Sequence, residues 1–163
     1  MMDLLKAQGI YNGNIDNVVH SADLKNGNVV SLGTINTDFA GEQVYNAVLP
    51  ATASLATMEF LLVAQDEYDY SNGETDVEAF VVVKDVPFKG LHLTVGDKIK
   101  LAKTDFSGTS AVGKYLIPAN GTAVLAVAND LTGGTRLALK ITSVTETIGY
   151  SKAPAVKAEV VSC

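Results

Sequence analysis

Hydrophobic and polar positions along the chain alternate in short runs broken by turn residues. In LTVGDKIKLA, Leu93 and Val95 flank polar Thr94, Gly96-Asp97 supplies a turn, and Ile99 and Leu101 alternate with Lys98 and Lys100. A period of two on either side of Gly-Asp predicts strand, tight corner, strand. NVVSLGTI, QVYNAVL, EFLLVAQ, EAFVVVKDV, HLTVG, KIKLA, TAVLAVA, RLALKITSV and AVKAEVV carry the same signature. All are strand-length, and most are rich in β-branched residues. In EAFVVVKDV, Ala79, Val81 and Val83 fall on one face and Phe80 and Val82 on the other, which predicts a central strand covered on both sides. In RLALKITSV, Leu137, Leu139 and Ile141 alternate with Ala138, Lys140 and Thr142, so that strand has one wet face.

Between the runs, Asn-Gly occurs at Asn12-Gly13, Asn26-Gly27, Asn72-Gly73 and Asn120-Gly121. This dipeptide favours the positive φ angles of type I′ hairpin turns. Gly96-Asp97 and Gly133-Gly134 are further turn candidates, and SGTSAVG, Ser107 to Gly113, reads as a surface loop. Helix is scarce. PATASLATM, Pro50 to Met58, fits either two helical turns or a loop. MMDLLKAQ fits one helical turn stopped by Gly9, too short to stand alone and better as an arm than as a core element. The prediction is an all-β or nearly all-β chain: a compact β-barrel or sandwich with hairpin turns over 16–163, preceded by a short N-terminal arm over 1–15.

Composition narrows the function. A chain of 163 residues can bury a core of its own, and its single cysteine, Cys163, forms no internal bridge, as expected of a chain folded in a reducing cytosol. Apolar residues make up 47% and charged residues 18%, so the surface leans on Thr, Ser, Asn and small apolar groups, as surfaces covered by neighbours do. The net charge is −6 and Arg136 is the sole arginine. Nucleic-acid binders need a concentrated cationic face, so no nucleic-acid partner is expected. Lys98, Lys100 and Lys103 form the densest basic group and read as a solvated edge guarded against strand pairing. The opening has neither the basic nor the long apolar region of an export signal, and no apolar run is long enough to cross a bilayer; no membrane partner is expected.

Candidate chemistry is sparse. His20, Ser21 and Asp23 superficially suggest a hydrolase trio, but side chains so close in sequence do not reach base, nucleophile and orienter positions. His92, in GLHLTV, alternates with Leu91 and Leu93 and is expected on the outer face opposite them. The acidic stretch DEYDYSNGETDVE, Asp66 to Glu78, is the best metal candidate. An EF-hand alignment on Gly73 nevertheless places Tyr68 and Tyr70 at ligand positions and Ala79 where a bidentate Glu belongs. A looser oxygen cage and a solvated hairpin tip remain as readings of that stretch. Glu59, Asp66, Glu78 and Asp85 are the carboxylates from which a sugar hydrolase would draw its pair. No phosphate loop, dinucleotide fingerprint, Cys/His zinc spacing or GxSxG occurs. The expectation is a non-enzymatic chain with no cofactor, no catalytic residue and no metal ligand.

The stretch HSADLKNGNVVSLGTI, His20 to Ile35, followed by GEQVYNAVLP, resembles the start of small capsid decoration proteins of tailed bacteriophages, with an A-x-L-x-N-G-x-V-V-x-L-G opening. LTVGDKIKLA, with GKYLIPANGTAVLAVA after it, is similar to their later, barrel-like section. The resemblance implies a structural virion protein, made in the host cytoplasm, that binds the capsid exterior and bridges major capsid subunits, as a monomer or small trimer. Leu4, Leu5, Ile10 and Tyr11 of the arm are the expected capsid contacts. A tail-tube, adaptor or fibre-base protein is the alternative, since such proteins also use β-barrels and acidic, Thr-rich chains.

Overall fold

A computed structural model describes residues 1–6, 15–39, 41–65, 80–149 and 151–163. The chain is nearly all β and folds into two packed sheets. Strands β2 (Ile15–Val19), β3 (Val29–Ile35), β4 (Val44–Val48), β5 (Phe60–Val63) and β6 (Phe88–His92) close into a barrel in the order β2-β4-β3-β5-β6. Strands β1 (Met2–Lys6), β7 (Lys98–Ala102), β8 (Phe106–Ser107), β9 (Tyr115–Ile117), β10 (Leu125–Ala128), β11 (Ala138–Ile148) and β12 (Ala153–Ser162) form an open seven-stranded sheet in the order β1-β7-β12-β11-β9-β10-β8. The pairs β2·β4 and β8·β10 are parallel; the other pairs are antiparallel. The Pro50 to Met58 segment contains a single 3-10 turn at Thr52–Ser54 and not two turns of α-helix.

The chain starts in the open sheet, builds the barrel, and returns to the sheet at LTVGDKIKLA. The strand, corner, strand reading of that stretch therefore needs correction: β6 ends at His92, β7 begins at Lys98, and the two strands lie in different sheets. The corner is a crossing between layers, closed by the Asp97 amide donating to Thr94 O at 3.0 Å with Gly96 at φ +96°. The buried Asp97 carboxylate accepts from the Thr94 amide at 2.9 Å and from its hydroxyl at 3.0 Å. Gly96 N to Val160 O and Val160 N to Asp97 O, both 2.9 Å, pin the corner to β12. These donors offset the cost of burying the Asp97 side chain, which fixes where the chain changes layer.

The core follows from strands that bury both faces. All four residues of β5 are buried. Phe60 and Leu62 join Val29, Leu91, Ile99, Leu101, Leu139 and Val156 in the layer between the sheets, whereas Leu61 and Val63 join Val18, Val30 and Phe88 inside the barrel. The doubly covered strand is thus β5, in EFLLVAQ, and not EAFVVVKDV. In the described part of the latter, Val82 alone pairs, as an isolated bridge with Leu24, while Val81 and Val83 are exposed. Apolar residues on both faces made the two segments look alike; only the neighbouring strands distinguish them.

Turn geometry differs from the type I′ expectation. Gly27 has φ +90° and Gly121 φ +70°, and among the described residues only Asp85 and Lys152 are non-glycines at positive φ, so Asn26 and Asn120 are not. Each Gly sits third in a turn closed by Asn28 N to Lys25 O (3.0 Å) or Thr122 N to Ala119 O (3.4 Å), the type II pattern. Gly27 is also a packing site, since a Cβ there would lie 2.5 Å from Leu101 Cδ2. Beside it, the buried Asn26 side chain donates to Gln65 O at 2.7 Å and accepts from Gln65 N at 2.8 Å, which continues the pairing of β3 with β5 by other means.

Lys98 and Lys100 do not guard an edge. Strand β7 lies between β1 and β12, and these lysines face Glu159 at 3.4 Å and Glu146 at 3.8 Å. The edge is covered by Met2–Lys6, which is strand and not the helical turn expected, because β7 offers it backbone partners that an isolated helical turn lacks. Met2 is buried in the layer between the sheets. The remainder of the expected 1–15 arm, residues 7–14, lies outside the described residues.

Candidate functional site at the barrel mouth

Among the described residues, the titratable side chains that the fold brings together most closely lie at one end of the barrel. β6 runs between β5 and β2, with His92 opposite Leu61 and with Gly90 opposite both Asp16 and Val63. Directly opposed residues of an antiparallel pair share a face. Leu61 and Val63 face the barrel interior, so His92 and Asp16 belong to that same face, at its mouth. Glu59, two residues before Leu61, completes the group. His92 is indeed opposite Leu91 and Leu93, as its alternation predicted, but its face is the inner face of the barrel at its open end and not an outer surface.

The His92 Nε2 lies 2.7 Å from Asp16 Oδ2 and its Nδ1 lies 2.8 Å from Glu59 Oε1. Burial opposes a charge on this imidazole; the hydrogen bonds to Asp16 and Glu59, reinforced by the two negative charges, outweigh it and raise the pKa above 6.5. A small pocket alongside is lined by Glu59, His92, Arg136 and Cys163, with Phe60, Leu93 and Leu137 as its apolar wall. Arg136 is held there by its Nη1 donating to Thr57 O at 3.3 Å and its amide donating to Leu55 O at 2.8 Å. With a proton on each ring nitrogen, the imidazole donates to both carboxylates and so links the strands that carry them.

The other residues singled out from sequence are dispersed. His20 Nδ1 accepts from the nearby Ala22 amide at 3.1 Å, and Asp23 accepts from Lys84 N at 2.9 Å, so each makes a structural contact of its own. Asp85 is exposed in a turn at φ +60°, its amide donating to His20 O at 2.9 Å. Asp66 and Glu78, with the whole acidic stretch between them, lie outside the described residues. Among the described residues, no group of three His, Cys, Asp or Glu side chains has metal-holding geometry. Leu4 and Leu5 lie in β1, with Leu4 paired to Ile99; Ile10 and Tyr11 lie outside the described residues.

The residues that carry the family resemblance serve the fold. Leu24 bridges to Val82, Gly27 abuts Leu101, and Val29 and Val30 feed the two core layers. At Gly33 a Cβ would meet Asn46 O at 2.8 Å. The Asp16, Glu59 and His92 cluster was missed in sequence. Its one local signal is a lone titratable residue set directly beside core hydrophobes in IDNVV, MEFLL and GLHL. Among the described residues, no helix is long and apolar enough to cross a membrane. Comparison with family models, curated proteins and solved structures returned no match.

Proposed function

We propose that this chain is a structural, non-enzymatic virion protein that binds the exterior of a tailed-phage capsid and bridges neighbouring major capsid subunits. The sequence resemblance over His20 to Ile35 suggests the class, and one structural observation supports the mode of binding. β1 is the terminal strand of the open sheet, and a terminal strand can be extended by a strand or loop of a capsid subunit through backbone hydrogen bonds. Leu4, Leu5, Ile10 and Tyr11 are the proposed shell contacts, and many modest contacts repeated over a lattice give the avidity that decoration requires. The chain is made in the host cytoplasm and joins the head exterior as a monomer or small trimer.

The test is to incubate the purified chain with expanded phage heads and image them, alongside Leu5→Asp and Tyr11→Asp variants whose melting temperatures are measured in parallel. Point substitutions are required because deleting the arm would also remove Met2 from the core. The expected result is regular density outside the heads, reduced for the variants at unchanged melting temperature. Because the chain is net acidic, occupancy should fall only modestly with salt, unlike the steep loss of a phosphate-binding protein. Failure of the intact chain to decorate any mature head, with rings or tubes forming instead, would replace this reading with a tail protein.

A further inference from the structure

His92 joins three consecutive strands of a closed ring: its own β6, β2 through Asp16, and the lead-in to β5 through Glu59. A neutral imidazole has one donor and one acceptor nitrogen, whereas the imidazolium has two donors. Ionised carboxylates only accept, so oxygens at 2.7 and 2.8 Å from the two ring nitrogens are both satisfied only when the ring carries its second proton. We infer that the barrel mouth is held by a proton-dependent clasp, in which protonated His92 ties β2, β6 and the start of β5 together and releases one of its neighbours on losing that proton.

The surroundings favour this role. The charged and titratable groups facing His92 are Asp16 from β2, Glu59 before β5, Arg136 before β11 and Cys163 after β12. Arg136 is anchored by donating one of its five N–H groups to Thr57 O. Immediately inward, on the same face, lie Leu61, Val18 and Phe88 of the barrel interior, so loosening the clasp admits water to an apolar core. The linkage has a definite sign. The pKa of folded His92 is raised, so the stabilisation is complete below the pKa of the unfolded chain, about 6.5 for histidine. It is lost as pH climbs through the folded value. The clasp is therefore fully closed below about pH 6.5 and opens as pH rises through the raised midpoint of folded His92.

Two measurements on the full chain test the clasp. The chain has two histidines, so its Cε1–H proton resonances, assigned with His20→Asn, give the His92 titration directly. Asp16→Asn and Glu59→Gln should each move its midpoint to lower pH. Amide hydrogen exchange at Asp16, Leu91 and His92, corrected for intrinsic rate, should accelerate several-fold as the wild type passes through its midpoint. That acceleration should vanish in His92→Gln. In Glu59→Gln, whose site is half exposed and which keeps the test open if His92→Gln folds poorly, it should follow the lowered midpoint. A midpoint indifferent to both carboxylate substitutions, or corrected exchange that does not change through the titration, would overturn the proposal.

Discussion

The barrel and the open sheet dispose of strand edges in different ways. The barrel strands are four to seven residues long and close on one another, so pairing satisfies both edges of each strand, but the interior is small. At Gly90 a Cβ would sit 2.8 Å from Leu61 Cδ1 and 3.3 Å from Val18 Cγ2, so a larger residue must displace Leu61. The open sheet is built on the eleven- and ten-residue strands β11 and β12, and it ends on two outer strands, β1 and β8. Closure gives a tightly determined unit whose weak point is its mouth, where the polar clasp sits. Openness leaves edges that a partner can extend. β5 links the two, because one of its faces fills the barrel and the other packs on the sheet.

The sharpest way to break this comparison is to damage the layer the two regions share. Leu62 is fully buried between them, and Leu62→Ala should cost about 2–5 kcal/mol. Urea unfolding should remain a single transition, with barrel and sheet weakened alike. A variant that unfolds in two steps would mean the regions are independent.

A smaller effect separates backbone geometry from packing. Gly27→Val meets a left-handed backbone penalty of roughly 1–2 kcal/mol and, against Leu101, an overpacking cost of roughly 1–3 kcal/mol. Gly121→Val has the same kind of φ but nothing within 4 Å of the added Cβ, and so bears the backbone cost alone. Chemical denaturation of the two variants should rank Gly27→Val as the worse; equal losses would contradict the Leu101 contact.

The smallest effect isolates the barrel interior. Gly90→Ala should cost about 1–3 kcal/mol through overpacking. Gly133→Ala, where the added Cβ also meets nothing within 4 Å, should stay within about 0.5 kcal/mol of wild type. Calorimetry that finds the two alike would show that the barrel has room to spare.

The contrast also explains what could be read from sequence. Period-two runs such as KIKLA and RLALKITSV became β7 and β11 because alternation reports a strand whatever its partner. Partners themselves are not written locally. The Gly-Asp corner has the same sequence signature whether it joins paired strands or carries the chain between sheets, and the pinning contacts come from Val160, more than sixty residues away in sequence. Met2–Lys6 has helix-forming residues and became strand because β7 had an edge to cover, a tertiary demand that overrides propensity. The His92 clasp was illegible for the same reason: its carboxylates lie 76 and 33 residues away in the chain, and only barrel closure brings them to one mouth.

Native-state hydrogen exchange across a urea series tests the shared core most directly. The buried amides of β5 in the barrel and of β11 and β12 in the sheet should converge on one exchange free energy and lose protection at the same urea concentration. Loss of protection throughout the barrel at low urea, while β11 and β12 stay fully protected, would contradict the account and divide the molecule into two independently folding units.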